Sequence, residues 1–387
     1  MTTKKIKGEN IKFEPLFTFK KPFDYILFVT LIVLLAVGAI MVFSSSTPYS
    51  LRTEGDSYYY FKKQILFIFL GFFIMLVVSK INYKLYNNKF LAWLAYLAGL
   101  ALMFSVKIPG IGVERNDALR WVRIAGVQFQ PSEIMKICII AFMAYYISKE
   151  PDRIKHFWTG IVPFCTLIIP VIGALYLQDH LSAMVIIVLT IGMMFFIAEA
   201  KIFHLSLLGM LGTLSVGLYI FSTDFRRQRF LIFLDPWQDP LNSGWQIIQS
   251  LYAISSGGLL GKGIGQGVEK YMYISEPHND FIFATWAEET GFIGVIFVII
   301  LFAIFIWRGI SIASRADTLH GSLIAIGITA MIGIQAVFNI AVVCSAMPVT
   351  GISLPFCSYG GSSILFLLIS VGILLNISRQ ATPIKEK

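Results

Sequence analysis

Long apolar runs separated by short polar breaks are the dominant pattern along this chain. A helix needs about 20 apolar residues to cross a hydrocarbon core of about 30 Å, and the runs have that length. The alternating positions of a membrane β-barrel are not the pattern seen here. We therefore predict about ten transmembrane helices, near 24–44, 64–80, 89–106, 131–148, 160–177, 183–199, 204–221, 291–308, 321–345 and 364–378.

Composition supports the same fold class. Hydrophobic residues make up 57% of the 387 positions and charged residues only 14%, and the mean hydropathy is +0.75. A soluble globule of this size needs more polar surface than that. We predict an all-α polytopic membrane protein with one transmembrane domain, 24–378, between short segments 1–23 and 379–387. Within it, 222–290 is predicted to be a large extracytoplasmic loop between spans seven and eight.

The basic residues indicate the orientation. The net charge is +9, and the lysines and arginines are spread over the short connections between spans, where orientation signals belong. This distribution favours membrane insertion over a nucleic-acid partner. The positive-inside rule places both termini in the cytoplasm, with six lysines ahead of the first span: Lys4, Lys5, Lys7, Lys12, Lys20 and Lys21.

Distinctive sequence motifs concentrate on the outer side under this topology. They are "NDALRWVRIAGVQFQPSE" (116–133), "QDHLS" (178–182), the segment 222–290 and "MPVTGISLPFCSYGGSS" (347–363). Loops on a rigid scaffold carry function more often than plain connectors do. We expect a site at the outer surface, and interfacial or re-entrant helices within 222–290, because that segment is too long for a connector.

Several arginines lie on this outer side, against the charge rule. Their guanidinium forks suit a diphosphate, which favours recognition of a phosphorylated lipid. Anchoring to anionic lipid head groups is the alternative for the "FRRQRF" cluster. The candidate substrate-binding arginines are Arg120, Arg123, Arg226, Arg227 and Arg229.

Other polar groups have two interpretations each. Glu133 and Lys136, three residues apart at the start of the fourth span, either neutralise each other or take part in chemistry. The string "GGLLGKGIGQG", which contains Lys262, lacks the ending of a phosphate loop. We predict a flexible turn beside the membrane whose backbone amides are available to an anionic head group.

Asp280, in "SEPHNDFIFATWAEE", enters an apolar and aromatic run. Desolvation would raise the pKa of this carboxyl and nearby arginines would lower it, an opposition that suits a general base. His278 is two residues away, a poor spacing for a metal pair, and no metal-binding motif is found. Glu288 and Glu289 fall at the predicted onset of span eight, where one could cap the helix.

The chain resembles the SEDS family, typified by FtsW, RodA and SpoVE. The resemblance rests on "ALRWVRIAGVQFQPSEIMK", "FLDPWQDPLNSGWQIIQSLYAISSGGLLGKGIGQG", "SEPHNDFIFATWAEETGFIG" and "NIAVVCSAMPVTGISLPFCSYGGSS". It implies an inverting peptidoglycan glycosyltransferase that polymerises lipid II at the outer face of the bacterial cytoplasmic membrane. In the family's motif the aspartate that matches Asp280 is the essential residue, with a proposed role as the base. Lys262, His278 and Ser358 join the candidate substrate-binding residues.

The same resemblance implies partners and a cofactor. A transpeptidase-type penicillin-binding protein and other division or sporulation membrane proteins are the expected partners, and a divalent cation, Mg²⁺ or Mn²⁺, is an expected cofactor. The motifs are more similar to the division and sporulation members than to the elongation member. The turn "QDHLS" departs from the family's usual "QPDLG". A lipid II flippase and a non-catalytic division scaffold are the alternative functions.

Overall fold

The architecture is a helical bundle, seen in a computed structural model that describes residues 16, 22–115, 118–124, 126–222, 224–242, 244–271, 273–274 and 276–381. Most of the predicted segments 1–23 and 379–387 therefore lies outside the described residues. The helices are α1 (Tyr25–Glu54), α2 (Tyr59–Val78), α3 (Lys89–Ser105), α4 (Pro131–Lys149), α5 (Val162–Leu177), α6 (Leu181–Ile197), α7 (Ile202–Phe221), α8 (Asp224–Leu234), α9 (Trp245–Gly257), α10 (Ile282–Ser314), α11 (Leu319–Val343) and α12 (Ser362–Gln380).

The helix lengths agree with a polytopic membrane protein. Among the described residues, eight helices are long and apolar enough to cross a membrane, and two shorter apolar helices are α3 and α6. These ten helices coincide with the ten predicted spans. The all-α polytopic fold class is confirmed, whereas the number of crossings remains a prediction because length and composition alone define the candidates.

Local signals explain where several helices begin. The Asp24 carboxylate accepts a hydrogen bond from the Leu27 N–H, which caps α1. Pro131 starts α4, where its missing N–H costs nothing, and Glu133 lies in the first turn. Thr318 caps α11 through the Gly321 N–H. Short polar side chains therefore mark several of the breaks between apolar runs.

The core forms around α11. This helix packs against α10, α6 and α4, while α2 packs against α12 and α1 against α10. The most apolar windows of α11 and α12 are each 67% buried inside the protein. The corresponding window of α7 is only 6% buried, and α7 packs mainly against α6 and α8. The window of α4 is also 67% buried, so α4, α11 and α12 are the most enclosed of the candidate spans and α7 is peripheral.

Two predicted spans are longer than expected. The first was predicted over 24–44 but α1 extends to Glu54, because Ser44, Ser45, Ser46 and Ser50 are buried inside the protein instead of facing lipid. The eighth was predicted over 291–308, but α10 begins at Ile282 and includes residues 282–290. Polar residues that are buried inside the bundle do not end a helix.

A break divides α10 at Gly291. Its φ of 65° and ψ of −164° are non-helical, so the segment 282–290 is a separate half-helix. A Cβ atom at Gly291 would lie 2.4 Å from the Gly261 backbone nitrogen, so glycine is required for contact between the two backbones. The predicted loop 222–290 therefore contains α8, α9 and this half-helix.

A small antiparallel sheet was missed by the sequence analysis. Its strands are β1 (Gly112–Arg115), β2 (Ala118–Ile124) and β3 (Val127–Phe129), in the order β1-β2-β3. The sequence of β2, Ala-Leu-Arg-Trp-Val-Arg-Ile, lacks the strict apolar and polar alternation of a strand with one solvated face. Gly126, with φ of 81°, lies between β2 and β3. The sheet holds the loop between α3 and α4 in one shape.

Candidate functional site

A large cavity lies at one end of the bundle, where the sheet, the helix ends and the segment 351–363 meet. Its volume is about 770 Å³, within the roughly 300–1,000 Å³ typical of ligand sites. Its walls carry the cations Lys63, Arg120, Arg123 and Lys136 and the carboxylates Glu133, Glu276 and Asp280. We call this the outer cavity, since it collects the motifs predicted to lie outside.

Asp280 reaches the outer cavity from the start of α10. It comes two residues before Ile282, so its carboxylate lies near the positive end of a helix. Its backbone carbonyl accepts a hydrogen bond of 2.7 Å from the Asn339 amide, which also donates to the Ile352 carbonyl at 2.6 Å. Asn339 is fully buried on α11. One core amide thus fixes Asp280 and the segment around Ile352 together.

Gly351 leaves room beside the Asp280 carboxylate. A Cβ atom at this position would lie 3.3 Å from Asp280 Oδ2. The φ of 66° also disfavours any other residue. A side chain at position 351 would therefore crowd Asp280 Oδ2, and glycine avoids this contact.

Lys136 and Glu133 form a buried ion pair in the wall of the cavity. The Lys136 Nζ lies 2.8 Å from Glu133 Oε1, and the lysine side chain is 3% exposed. Lys136 also donates to Gln335 Oε1 on α11 at 3.3 Å. The two interpretations from the sequence are therefore compatible, because the pair is neutralised and also lines the cavity.

Arg120 connects the sheet to the turn that departs from the family pattern. Its guanidinium donates to the Gln178 carbonyl at 3.3 Å and to the Asp179 carbonyl at 2.6 Å. Asp179 has a φ of 51°, a conformation that non-glycine residues adopt only at a cost. The "QDHLS" turn is thus held in place by an arginine that also lines the outer cavity. Arg123, further along β2, is exposed in the same cavity.

His180 also lines the cavity and is uncharged near neutral pH. Burial, together with the nearby charges of Arg120 and Lys136, lowers the pKa of His180 to about 3. Its Nε2 lies 3.3 Å from the Gln130 side-chain nitrogen. A neutral imidazole adds no charge to a wall that already carries four cations.

The cavity also has lining residues that were not among the predicted site residues, and they include Lys63, His180, Glu276 and Gln335. Lys63 had a usable signal, since it is a lysine on the predicted outer side next to an apolar run. Its Nζ lies 2.5 Å from the Tyr59 hydroxyl and 4.0 Å from the centre of the same ring. Gln335 had no sequence signal that pointed to a site, because it lies in the middle of the apolar helix α11.

Three predicted binding residues do not line the outer cavity. His278 is fully buried, with its ring against those of Tyr49, Tyr60 and Tyr359. Ser358 accepts a hydrogen bond from the Leu354 N–H and closes a turn. Lys262 donates to Glu288 at 2.7 Å. The structure does not bring these three residues to the outer cavity, since each is engaged in packing or pairing elsewhere, and their contact with substrate stays a prediction.

Arg227, the arginine of α8 whose side chain the structure describes, does not line the outer cavity. Arg227 is exposed and lies 3.4 Å from Asp224, three residues earlier on the same helix. Among the described side chains, the lining of the cavity includes no residue of α8. The side chains of Arg226 and Arg229 lie outside the described residues, so their predicted role remains untested.

Glu288 and Glu289 hold the glycine-rich loop against α10. Glu288 is fully buried and accepts from Lys262 and from the backbone N–H groups of Val268 and Glu269. Glu289 lies 2.6 Å from Lys270, and Ser44 of α1 donates to the same carboxylate. The predicted capping role was wrong, because both residues lie about two turns inside α10. The loop's amides do bind an anion, and that anion is a side chain of the protein itself.

The chain matches the FtsW, RodA and SpoVE family model, described as "Cell cycle protein", over residues 24–383. It is 40% identical over 360 residues to stage V sporulation protein E of Bacillus subtilis, covering 92% of this chain and 97% of that protein. It is 38% identical over 358 residues to a probable peptidoglycan glycosyltransferase FtsW of Geobacter sulfurreducens, covering 92% and 95%.

Solved structures show the same fold. A chain from a study titled "Structural coordination of polymerization and crosslinking by a peptidoglycan synthase complex" superimposes with a TM-score of 0.76 at 29% identity, covering 92% of this chain and 98% of that one. The rod shape determining protein RodA of Thermus thermophilus gives a TM-score of 0.69 at 25% identity, covering 93% and 98%.

Proposed function

Since the chain belongs to the FtsW, RodA and SpoVE family, we propose that it is a peptidoglycan glycosyltransferase whose outer cavity polymerises lipid II into glycan strands. The observation that carries the proposal is the cavity itself, in which one carboxylate at a helix N-terminus, Asp280, faces a wall with four cations. Glycosyl transfer from a lipid diphosphate needs both a base and cations. Relatives from sporulation and from division match at similar identity, so the proposal covers either process.

Asp280 is the general base in this proposal. It accepts the proton of the 4-hydroxyl of the acceptor's N-acetylglucosamine while that oxygen attacks the anomeric carbon of the donor's N-acetylmuramic acid. The bond from that carbon to the diphosphate oxygen breaks, and the configuration inverts. General-base catalysis contributes about 10²- to 10⁴-fold. The hydrogen bond from Asn339 supports the role by holding the backbone of the base.

The four cavity cations stabilise the departing undecaprenyl diphosphate. Negative charge grows on this group as the bond breaks, and preorganised cations in a site sheltered from water stabilise such charge strongly. Arg120 and Lys136 are already held by hydrogen bonds, so they need little reorganisation. Arg123 is exposed in the cavity and suits bidentate contact with a phosphate. The described cations of the cavity supply this site, and a contribution from Arg226 and Arg229 stays a prediction.

A divalent cation fits the cavity only together with substrate. Among the described residues, no group of three His, Cys, Asp or Glu side chains is placed to hold a metal. Mg²⁺ is commonly bound by one or two carboxylates plus substrate phosphates, and Glu276 lines the cavity in addition to the proposed base. Such an ion would add positive charge beside the leaving diphosphate. We propose Mg²⁺ or Mn²⁺ on this basis, tested by EDTA followed by each metal.

The orientation and the partners follow from the same proposal. The protein lies in the cytoplasmic membrane with both termini inside, so that the outer cavity faces the side where glycan strands grow. A peptidoglycan synthase complex is the setting of a structural neighbour, which supports a transpeptidase-type penicillin-binding protein as partner. Other division or sporulation membrane proteins complete the proposed assembly.

The decisive experiment is polymerisation of labelled lipid II by the purified chain with its cognate transpeptidase. Wild type should yield glycan polymer, and Asp280→Ala should yield none while it elutes and melts as wild type does. Polymer from Asp280→Ala would overturn the assignment of the base. Scrambling of lipid II in liposomes by both proteins, without polymer from either, would favour the flippase. Activity of neither kind, with partner binding retained, would favour the scaffold.

A further inference from the structure

A second cavity lies between α3, α4 and α5. Its volume is about 260 Å³, below the roughly 300–1,000 Å³ typical of drug-sized ligands but large enough for a lipid head group. We call it the basic pocket. It is lined by Lys89, Trp93, Tyr145, Tyr146, Lys149, Glu150, Arg153 and Phe164.

The basic pocket is separate from the outer cavity. Helix α4 connects the two, since Lys136 lines the outer cavity and Lys149 lines the basic pocket. Thirteen residues of helix at 1.5 Å each place these lysines about 20 Å apart along the axis. The pocket therefore opens at the opposite end of the bundle, which the charge rule assigns to the cytoplasmic leaflet.

The pocket has more positive than negative charge. Three cations and one carboxylate line it, and the carboxylate of Glu150 lies 3.1 Å from the Arg153 guanidinium. Within the described part of the chain, Lys89 and Lys149 have no carboxylate within ion-pair distance. The Lys149 Nζ instead lies 5.5 Å from the centre of the Tyr145 ring. Glu150 is therefore paired with Arg153, and neither lysine of the pocket forms an ion pair with a described carboxylate.

Lys89 is placed against the dipole of its own helix. It is the first residue of α3, where the helix dipole is positive, and Asn88 Oδ1 accepts hydrogen bonds from the Phe90 and Leu91 N–H groups there. A cation at this end is unfavourable unless an anion is nearby. An anion in the basic pocket would be attracted both by the lysine and by the helix end.

Aromatic side chains make up the rest of the wall. Trp93 packs edge-on against Phe142 with ring centres 5.0 Å apart, and Tyr146 packs likewise against Phe164 at 5.0 Å. These contacts keep the wall rigid. Tryptophan and tyrosine are the residues that favour the depth of lipid head groups and the first carbons of the acyl chains. An inorganic phosphate has no apolar part to pack against this wall, whereas the glycerol and acyl carbons of a phospholipid do.

We propose that the basic pocket binds the phosphate of an anionic phospholipid from the leaflet that it faces. Lys89 and Lys149 contact the phosphate, and Trp93, Tyr145 and Tyr146 pack along the glycerol and the upper acyl carbons. Basic pockets between transmembrane helices on the cytoplasmic side are suited to such head groups. The site is independent of glycosyl transfer and of the side chains that line the outer cavity.

Native mass spectrometry of the purified full chain tests the proposal. The delipidated protein is titrated with phosphatidylglycerol, and with phosphatidylcholine as the zwitterionic comparison. Wild type should bind phosphatidylglycerol in preference. Lys89→Gln with Lys149→Gln should weaken that binding about thirty-fold, because each lysine contributes about 1 kcal/mol and 1.4 kcal/mol corresponds to a factor of ten. Both lysines are exposed, so the variant should fold.

The matched control is Lys84→Gln with Lys201→Gln. These lysines follow α2 and precede α7, at the same end of the bundle, and do not line the basic pocket. The control should retain wild-type affinity, and Lys89→Arg with Lys149→Arg should retain the preference. Equal weakening by both glutamine pairs, or no preference over phosphatidylcholine, would overturn the proposal. Displacement of phosphatidylglycerol by millimolar inorganic phosphate would assign the site to free phosphate and overturn the lipid assignment.

Discussion

Asp280 and the glutamates Glu288 and Glu289 lie within ten residues of one another, yet their surroundings are opposite. Asp280 lines a cavity of about 770 Å³ and is held through its backbone carbonyl. Glu288 and Glu289 are 0% and 2% exposed, and each carboxylate is bound by a lysine. One carboxylate is positioned with access to a ligand, whereas the other two are enclosed.

The difference shows how the same side-chain chemistry serves two purposes in a membrane protein. A charge buried without a partner is costly, so the two glutamates are matched by Lys262 and Lys270 and by backbone N–H groups. The Asp280 carboxylate instead lines the outer cavity and lies near the positive N-terminus of α10, which stabilises its charge. The enclosed pairs fix the loop and the half-helix, and the half-helix fixes Asp280.

Asp280→Asn should give the largest effect on activity. The amide keeps the size of the side chain but cannot accept the proton, so polymerisation should fall about 10²- to 10⁴-fold. The melting temperature in detergent should stay unchanged. Asp56→Asn, in the loop between α1 and α2, is the matched control and should retain activity. If Asp280→Asn lowered the melting temperature as well as the polymerisation rate, the loss of activity would be attributed to unfolding, and Asp280 would be a structural carboxylate.

Lys270→Gln should mainly affect stability. Removal of the cation leaves the Glu289 carboxylate buried with Ser44 as its remaining side-chain donor, and such losses cost about 3–5 kcal/mol in the free energy of unfolding. The measurement is denaturant titration in detergent micelles. Lys62→Gln is the control, because the Lys62–Asp56 pair has a similar distance, 2.8 Å, but is exposed. Similar effects of both substitutions would contradict the distinction between enclosed and exposed pairs.

Sequence reasoning found the features that depend on local pattern. Apolar runs located the helices, and Asp280, Arg120, Arg123, Glu133 and Lys136 were predicted site residues that do line one cavity. It missed features that depend on distant partners. Lys270 meets Ser44, 226 positions away, and no local signal indicates that contact. The part of α10 after the break at Gly291 begins where the span was predicted, but the half-helix 282–290 that carries the two glutamates was not predicted.

The dependence on distant partners also limits what the sequence says about the arginines of α8. "FRRQRF" was the strongest basic cluster on the predicted outer side, but charge count alone does not say which element faces a cavity. Among the described side chains, the cavity is lined by one cation from α2, two from β2 and one from α4, because these elements converge there. Lys63 was passed over since it stands beside only one other lysine, Lys62, and no motif surrounds it.

Asn339→Leu should affect both stability and activity to a moderate degree. It leaves the carbonyls of Asp280 and Ile352 without their side-chain donor, at about 1–3 kcal/mol per buried unsatisfied group. We expect kcat to fall more than KM rises, because the base loses its position while the cations remain. Thr329→Val on the same helix removes only a local bond to the Ala325 carbonyl and should leave kcat unchanged. An unchanged kcat for Asn339→Leu would show that Asp280 is positioned by other contacts.

Substitution of His180 should have the smallest effect, a change in the pH dependence of the free energy of unfolding. Its pKa is about 3 in the folded protein against 6.5 for an ordinary histidine, so the unfolded chain binds the extra proton between these values. Stability is therefore complete above pH 6.5 and falls as the pH drops, by about 1.4 kcal/mol at pH 5.5. His180→Gln should remove that part of the decline in denaturant titrations at pH 7.5 and 5.5. The exposed His156→Gln is the control, and an equal change there would attribute the pH dependence to groups other than the buried imidazole.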